Sequence, residues 1–138
     1  MRYLEKQGDL FAEENTMLAH CISADYALGA GIAVPFDRKY NMKEKLNIVG
    51  THKFPDVIMI DEVFNLVTKD KCYHKPTYQD LQSTLIQMRK MILELGVPNL
   101  AIPKIGCGID GLDWGKVSEM IKETFKNVDI SITVCTID

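Results

Sequence analysis

Short apolar runs alternate with amphipathic segments along the whole chain, and this alternation predicts a domain of the α/β class. The runs that predict strands lie at residues 2–6, 17–22, 56–60, 63–68, 99–103 and 130–137. Only Asp61 and Glu62 separate the third run from the fourth, which predicts a hairpin at that point.

The clearest helix is predicted at residues 78–95. Apolar residues recur there at spacings of three and four: Leu81, Leu85, Met88, Ile92 and Leu95. Thr77 is a favourable N-cap for this helix, and Gly96 followed by Pro98 is typical of a helix end.

Two further helices are predicted at residues 41–47 and, after the cap residue Asp113, at residues 114–125. Residues 29–40 open with two glycines and continue with helix-compatible residues. Pro35 therefore fits only near the start of a helix or at a kink.

The order of these elements predicts a three-layer α/β architecture. No linker or repeat divides residues 1–138, which are expected to form a single domain. Ligands of such sheets bind at the carboxyl ends of the strands, where the loops open. Both glycine-rich segments lie at strand-to-helix transitions, so a phosphate site is expected there.

Composition narrows the class further. Of the 138 residues, 46% are hydrophobic and 25% charged, with a net charge of −3. This balance excludes disordered, collagen-like and disulfide-scaffold classes and disfavours a broad basic face for duplex nucleic acid. A local anion site is compatible with it, because backbone N–H groups hold phosphate without net positive charge.

No apolar run reaches the roughly 18–20 residues of a membrane span, so no membrane partner is expected. The opening residues MRYLEKQGDLF lack the apolar core of a secretory signal.

The four cysteines have no C-x-x-C or zinc-like spacing: Cys21, Cys72, Cys107 and Cys135. Cys21 and Cys135 lie in apolar runs and are predicted to be buried thiols. Free buried thiols are typical of a reducing compartment, so a cytoplasmic location is expected, or a nuclear one in a eukaryote. We predict no metal and no cofactor, and we expect a monomer.

Three glycine-containing motifs could hold a ligand, and each has an ordinary structural interpretation as well. In Gly8-Asp9-Leu10, the Asp9 carboxylate could accept hydrogen bonds from the amino group of a base, or it could simply be a turn residue. Gly29-Ala30-Gly31-Ile32-Ala33 permits close approach to a diphosphate, or tight packing of a helix on a strand. Gly106-Cys107-Gly108-Ile109-Asp110-Gly111 offers a second cradle, in which Asp110 faces a ligand or occupies a turn.

Lys69 follows an apolar strand directly, and lysines in such positions are mostly solvated. His74 precedes Lys75-Pro76-Thr77 and is expected to organise the loop and the helix start rather than to catalyse a reaction.

Taken together, these motifs resemble the macrodomain family of ADP-ribose-binding modules over essentially the whole chain. The resemblance is strongest to the branch of terminal ADP-ribose protein glycohydrolases. The segments that carry it are GDLF at 8–11, AHCIS at 19–23, GAGIAV at 29–34, TK at 68–69, HKPTY at 74–78, IGCGID at 105–110 and ITV at 132–134. Residues 12–17 depart from the pattern of that branch.

The resemblance implies a three-layer α/β/α macrodomain with a central mixed sheet and ADP-ribose in a cleft over the sheet's edge. It places Asp9 and Leu10 at the adenine and Ser23 near the distal ribose. The two phosphate-binding loops would be Gly29, Ala30, Gly31, Ile32 and Ala33, and then Gly106, Cys107, Gly108 and Ile109. Thr68 is included among the ligand contacts, and Lys69 and Asp110 match the catalytic residues of the branch.

The implied activity is removal of mono-ADP-ribose or terminal ADP-ribose from glutamate and aspartate side chains of modified proteins. The Lys69 amine would attack the anomeric carbon and form a covalent adduct, while Asp110 manages protons. Deacylation of O-acyl-ADP-ribose is a further related activity, since that molecule also presents a cleavable ester on the distal ribose. Three alternatives stay open: removal of ADP-ribose from modified nucleic acid, a reader module without turnover, and an unrelated α/β domain whose glycines are structural.

Overall fold

A six-stranded mixed sheet forms the middle of the structure, a computed structural model that describes residues 1–137. The strands are β1 (Arg2–Gln7), β2 (Met17–Ser23), β3 (Asp56–Ile60), β4 (Val63–Lys69), β5 (Asn99–Ile102) and β6 (Ser131–Thr136). Their order across the sheet is β1-β6-β5-β2-β4-β3. All neighbours are parallel except β3 and β4, which form the predicted antiparallel hairpin.

Helices cover both faces of this sheet. They are α1 (Ala33–Tyr40), α2 (Met42–Val49), α3 (Tyr78–Leu95) and α4 (Trp114–Phe125), with short 3-10 turns at Leu10–Ala12 and Gly108–Asp110. The helices α3 and α4 share one buried apolar cluster with the sheet, and α1 and α2 share the other. The predicted three-layer α/β/α class, with a mixed central sheet, is confirmed.

The predicted helix ends agree with the structure because they depend on local hydrogen bonds. The Thr77 hydroxyl accepts from the Asp80 N–H at 3.0 Å, and the Asp113 carboxylate accepts from the Lys116 N–H at 3.0 Å. Gly96 ends α3 in the left-handed conformation, with φ of +70°.

Several details differ from the sequence predictions. Helix α1 begins only at Ala33, so Pro35 lies in its first turn, where no N–H is needed. The 3-10 turn at Leu10–Ala12 was not predicted. Cys135 is buried as predicted, but Cys21 is partly exposed, because its side chain lies beside the open carboxyl edge of the sheet. Within residues 1–137, no helix combines the length and the apolar character needed to cross a membrane.

A histidine without a second polar partner lies inside the α1–α2 side of the core. His20 is fully buried and stacks on Phe36, with ring centroids 3.8 Å apart. Its Nε2 lies 2.6 Å from Asn65 Oδ1, and the Asn65 amide donates to the Ile58 carbonyl, so Nε2 carries the proton. His20 Nδ1 has no partner, and burial lowers the pKa of His20 to about 4.

We predict that stability falls as the pH is lowered from about 6.5 to 4, the window between the ordinary pKa of histidine and the lowered one in the fold. In that window His20 is protonated in the unfolded chain but stays neutral in the fold. The free energy of unfolding should therefore fall by roughly 3 kcal/mol in total. Denaturant unfolding at a series of pH values measures this slope.

The variant His20→Gln should lose the slope between pH 6.5 and about 5, above the range in which carboxylates such as Asp25 titrate in the unfolded chain, whereas His74→Gln, at an exposed histidine, should keep it. An unchanged slope in His20→Gln would show that another group is responsible.

Candidate active site

The carboxyl ends of β2 and β4 lie side by side and carry the first two polar groups of the site. The two strands are parallel neighbours, and Ser23 is opposite Lys69 after a bulge at Ile22 and Ser23. The Ala24 N–H donates to the Lys69 carbonyl at 2.8 Å, which continues the pairing one residue past the strand. Lys69 is therefore held in position by the sheet and not by a flexible loop.

Lys69 meets Asp110, which lies 41 positions away in the sequence. Lys69 Nζ donates to Asp110 Oδ1 at 2.7 Å, and the two side chains are only 10% and 15% exposed. Asp110 ends the 3-10 turn between Gly108 and Gly111, both of which have positive φ. The Lys75 amine also donates to the Ile109 carbonyl, so the segment after β4 is tied to this turn at two points.

Three adjoining hollows form a cleft along this edge of the sheet. The central hollow, of about 360 Å³, is lined by Cys21, Ala30, Gly31, Ile32, Ala33, Pro103, Lys104, Ile105, Gly106, Cys107, Gly108, Ile109 and Asp110. An outer hollow of about 230 Å³ is lined by Leu10, Ile32, Pro103, Lys104, Cys135, Thr136 and Ile137. An inner one of about 70 Å³ is lined by Cys21, Ile22, Ser23, Leu28, Gly29, Ala30, Ala33 and Cys72.

The two predicted phosphate loops face each other across the central hollow. Gly31 has a φ of +61°, and a Cβ added there would lie 3.3 Å from Ile109 Cδ1. Side chains larger than hydrogen at position 31 would therefore narrow the cleft at its middle. The backbone of both loops is open to an elongated anionic ligand.

Most of the remaining predicted residues also reach the cleft. Leu10 is buried in the wall of the outer hollow, and Ser23 is buried in the inner one. Asp9 is exposed beside the outer hollow, where one carboxylate oxygen accepts from the Phe11 N–H at 3.0 Å and starts the 3-10 turn.

The ligand contact of Thr68 stays a prediction. Thr68 is 1% exposed and lines none of the three hollows among the described residues. Lys69 does not line these hollows either, and it reaches the cleft through Asp110, which lines the central one.

Three thiols of the cleft, those of Cys21, Cys107 and Cys135, are poor nucleophiles. Burial, and then the negative charge of Asp110, raises the pKa of the Cys21 thiol to about 12. Burial also raises the pKa of Cys107, and it raises that of Cys135 to about 11. An amine paired with a carboxylate is the better candidate for nucleophilic chemistry here.

Asp25 is a functional candidate that the sequence analysis missed. Its Oδ1 accepts from the Ser23 hydroxyl at 2.5 Å and from the Ala27 N–H at 3.1 Å. Its Oδ2 accepts from the Cys72 N–H at 2.8 Å. The chain SAD after β2 looks like an ordinary turn, and the partner at position 72 becomes visible only in the fold.

A larger groove, of about 590 Å³, lies at the opposite, amino-terminal edge of the strands. Glu62 is the only ionisable residue in its lining, so it has no pair of groups that could exchange a proton. We therefore place the candidate site in the smaller cleft with Lys69 and Asp110.

Known proteins resemble this chain in sequence and in structure. No family model matches the chain. It is 45% identical over 137 residues to the human ADP-ribose glycohydrolase OARD1, a match that covers 95% of this chain and 89% of the human protein. It is 25% identical over 133 residues to the DNA ADP-ribosyl glycohydrolase of Mycobacterium tuberculosis, covering 88% of this chain and 38% of that protein.

The solved macrodomain of Mycobacterium tuberculosis DarG has the same fold, with a TM-score of 0.88 at 23% identity over 99% of this chain and 98% of that chain. The mixed sheet lies between two helical layers, and a cleft opens between two glycine loops, which together define an α/β/α domain. The chain belongs to the macrodomain family, and it is a hydrolase.

The floor of the central hollow depends on Gly106, which has a φ of +73°. A Cβ there would lie 3.0 Å from Leu112 Cδ1 and 3.4 Å from Leu81 Cδ2, so the Leu112 side chain would have to shift by a few tenths of an ångström. We predict that Gly106→Ala lowers the free energy of unfolding by roughly 2 kcal/mol or more, through backbone strain and this overlap together.

Gly96→Ala is the matched control, because Gly96 has a φ of +70° and no atom within 4 Å of the added Cβ. Its free energy of unfolding should fall by only about 1 kcal/mol, because backbone strain is the single penalty there. Denaturant unfolding compares the two variants, and equal losses would mean that the contact with Leu112 contributes nothing.

Proposed function

We propose that the protein is an ADP-ribosyl glycohydrolase that removes mono-ADP-ribose or terminal ADP-ribose from glutamate and aspartate side chains of modified proteins. The observation that carries this proposal is the 2.7 Å contact between Lys69 Nζ and Asp110 Oδ1 beside the cleft. A nucleophile and a proton carrier within one hydrogen bond of each other are what cleavage through a covalent intermediate requires. The identity to the human glycohydrolase supports ADP-ribose as the ligand.

The order of the three hollows suits the parts of ADP-ribose. The outer, largely apolar hollow would take the adenine, with Leu10 in its wall and Asp9 beside it. The central hollow would hold the diphosphate against the two glycine loops. The distal ribose would then lie at the inner end, near Ser23 and the Lys69–Asp110 pair.

The reaction begins with a proton transfer. In the ion pair, Lys69 is protonated and cannot attack, so it first passes a proton to Asp110. The free amine then attacks the anomeric carbon of the distal ribose, the bond from that carbon to the ester oxygen breaks, and the carboxylate of the modified protein leaves with the electron pair. The product of this step is ADP-ribose bonded to Lys69.

Release requires the sugar to leave the lysine. Asp110 relays a proton from the attached nitrogen to the ring oxygen as the sugar ring opens, and water then adds to the same carbon. The bond from that carbon to the Lys69 nitrogen then breaks, one proton of the added water passes to the solvent, and ADP-ribose departs while Lys69 regains its amine. O-acyl-ADP-ribose also presents an ester on the distal ribose, and its deacylation is a further proposed activity. There the bond that breaks joins the acyl carbon to a ribose oxygen, so the reaction does not pass through the adduct at the anomeric carbon.

Lys69→Ala and Lys69→Arg should both abolish turnover of a glutamate-ADP-ribosylated protein, by about 1,000-fold or more. Arginine keeps the positive charge beside Asp110 but cannot attack, so the pair of variants separates charge from nucleophilicity. Release of ADP-ribose measures turnover, and calorimetry with ADP-ribose measures binding, which should persist in both variants.

Lys90→Ala serves as the control, since Lys90 is an exposed lysine of α3 outside the cleft. It should retain full activity. Turnover by Lys69→Arg at the wild-type rate would rule out the covalent lysyl mechanism.

A second candidate substrate is ADP-ribosylated single-stranded nucleic acid. The segment directly after Lys69 carries Tyr73, which is 76% exposed, beside the exposed Lys71. An exposed aromatic ring with neighbouring cations suits base stacking and backbone contact. The similarity to the mycobacterial DNA ADP-ribosyl glycohydrolase supports this alternative.

Tyr73→Ala discriminates between the two substrates. If nucleic acid is the substrate, the variant should lose about tenfold in kcat/KM on ADP-ribosylated single-stranded DNA, because a stacked base contributes about 1–3 kcal/mol. Turnover of modified protein should not change. Equal rates of the variant and the wild type on modified DNA would exclude a stacking role.

A further inference from the structure

We propose that Asp25 is a positioning residue for this reaction, because it joins the Ser23 hydroxyl to the chain segment that follows Lys69. The inference deepens the proposed function and rests on it, since Ser23 and Lys69 act together only if the distal ribose lies between them.

One carboxylate connects three parts of the site. Oδ1 accepts from the Ser23 hydroxyl and from the Ala27 N–H, which leads into the first glycine loop. Oδ2 accepts from the Cys72 N–H, three residues after Lys69. The Ala24 N–H binds the Lys69 carbonyl, and the Asp25 carboxylate binds the Cys72 N–H. Residues 24 and 25 therefore hold the two ends of the segment 69–72.

This arrangement fixes the direction of the Ser23 proton. A serine hydroxyl has one proton and two lone pairs, and Ser23 donates its proton to Asp25 at 2.5 Å. On the side of the inner hollow, the Ser23 oxygen can then only accept a hydrogen bond. Ser23 is thereby set to receive a hydrogen bond from a hydroxyl group of the distal ribose and to orient the sugar toward Lys69.

The carboxylate stays ionised in this place. Burial raises the pKa of Asp25, but the hydrogen bonds from Ser23, from the Cys72 N–H and from the Ala27 N–H outweigh it and lower the pKa to about 2. Three donors point at two acceptor oxygens, and no donor is needed from Asp25 itself.

An asparagine cannot replace it, although the size is the same. The amide has one accepting oxygen and one donating nitrogen. With the oxygen toward Ser23, the nitrogen faces the Cys72 N–H, and with the oxygen toward Cys72, the nitrogen donates to Ser23 and turns its proton toward the ligand. Either orientation breaks one connection.

The test compares Asp25→Asn with Asp37→Asn, whose carboxylate accepts from the Lys43 N–H at 2.8 Å between α1 and α2, away from the cleft. We expect Asp25→Asn to lower kcat on a glutamate-ADP-ribosylated protein by about 100-fold through misplacement of reacting groups. KM and the Kd of ADP-ribose should change by less than about threefold. Asp37→Asn should match the wild type.

A second variant removes only the connection to position 72. The His74 N–H donates to the Lys71 carbonyl, so Cys72 occupies the second position of a β-turn, where proline is favoured. Cys72→Pro deletes the N–H that binds Asp25, and Cys72→Ala keeps it. We expect Cys72→Pro to lose at least about tenfold in kcat relative to Cys72→Ala, with little change in binding.

The possible results distinguish failure of the positioning role from failure of the proposed glycohydrolase function. If the wild type releases no ADP-ribose, the proposed function fails. If the wild type is active, two results would overturn the positioning role. One is a kcat within about threefold of the wild type in both Asp25→Asn and Cys72→Pro. The other is a fall of kcat and of ADP-ribose binding in the same proportion. Should Asp25→Asn not fold, the Cys72 pair decides by the same criterion.

Discussion

The adjacency of β2 and β4 is the constraint from which the geometry of the cleft follows. Parallel strands run in the same direction and end at the same edge of a sheet. Ser23 and Lys69, at the ends of β2 and β4, therefore lie opposite each other although they are far apart in the sequence. Because β5 pairs with β2 on its other side, the loop that carries Asp110 arrives at the same edge. After β2 the chain adds β4 on one side of that strand and β5 on the other. In α/β sheets, a change of side like this opens a crevice at the carboxyl ends of the strands.

Much of this fold could be predicted from local signals. The bounds of α3 follow from a side-chain cap at Thr77 and a left-handed glycine at position 96, which act within a few residues. The order of the strands across the sheet has no such local signal, because pairing joins residues far apart in the chain. The resemblance to a family, carried by several motifs in the right order, was needed for a mixed sheet to be expected.

The site was less predictable than the fold, because burial at a strand end depends on what lies above it. Lysines in such positions are usually solvated, yet Lys69 is covered by the turn that carries Asp110. Asp25 was missed because its partner Cys72 belongs to a different loop.

The Lys69–Asp110 pair also carries a cost that the fold alone does not explain. Two charges taken out of water lose solvation that their mutual attraction repays only in part, and apolar residues of similar volume would often be at least as stabilising. The proposed reaction gives the pair a purpose. When the proton moves from Lys69 to Asp110, both groups become neutral, and a neutral pair needs little solvation. Apolar residues at these two positions would remove both groups that the proposed reaction needs, so the stability forgone in the resting protein is a condition of that chemistry.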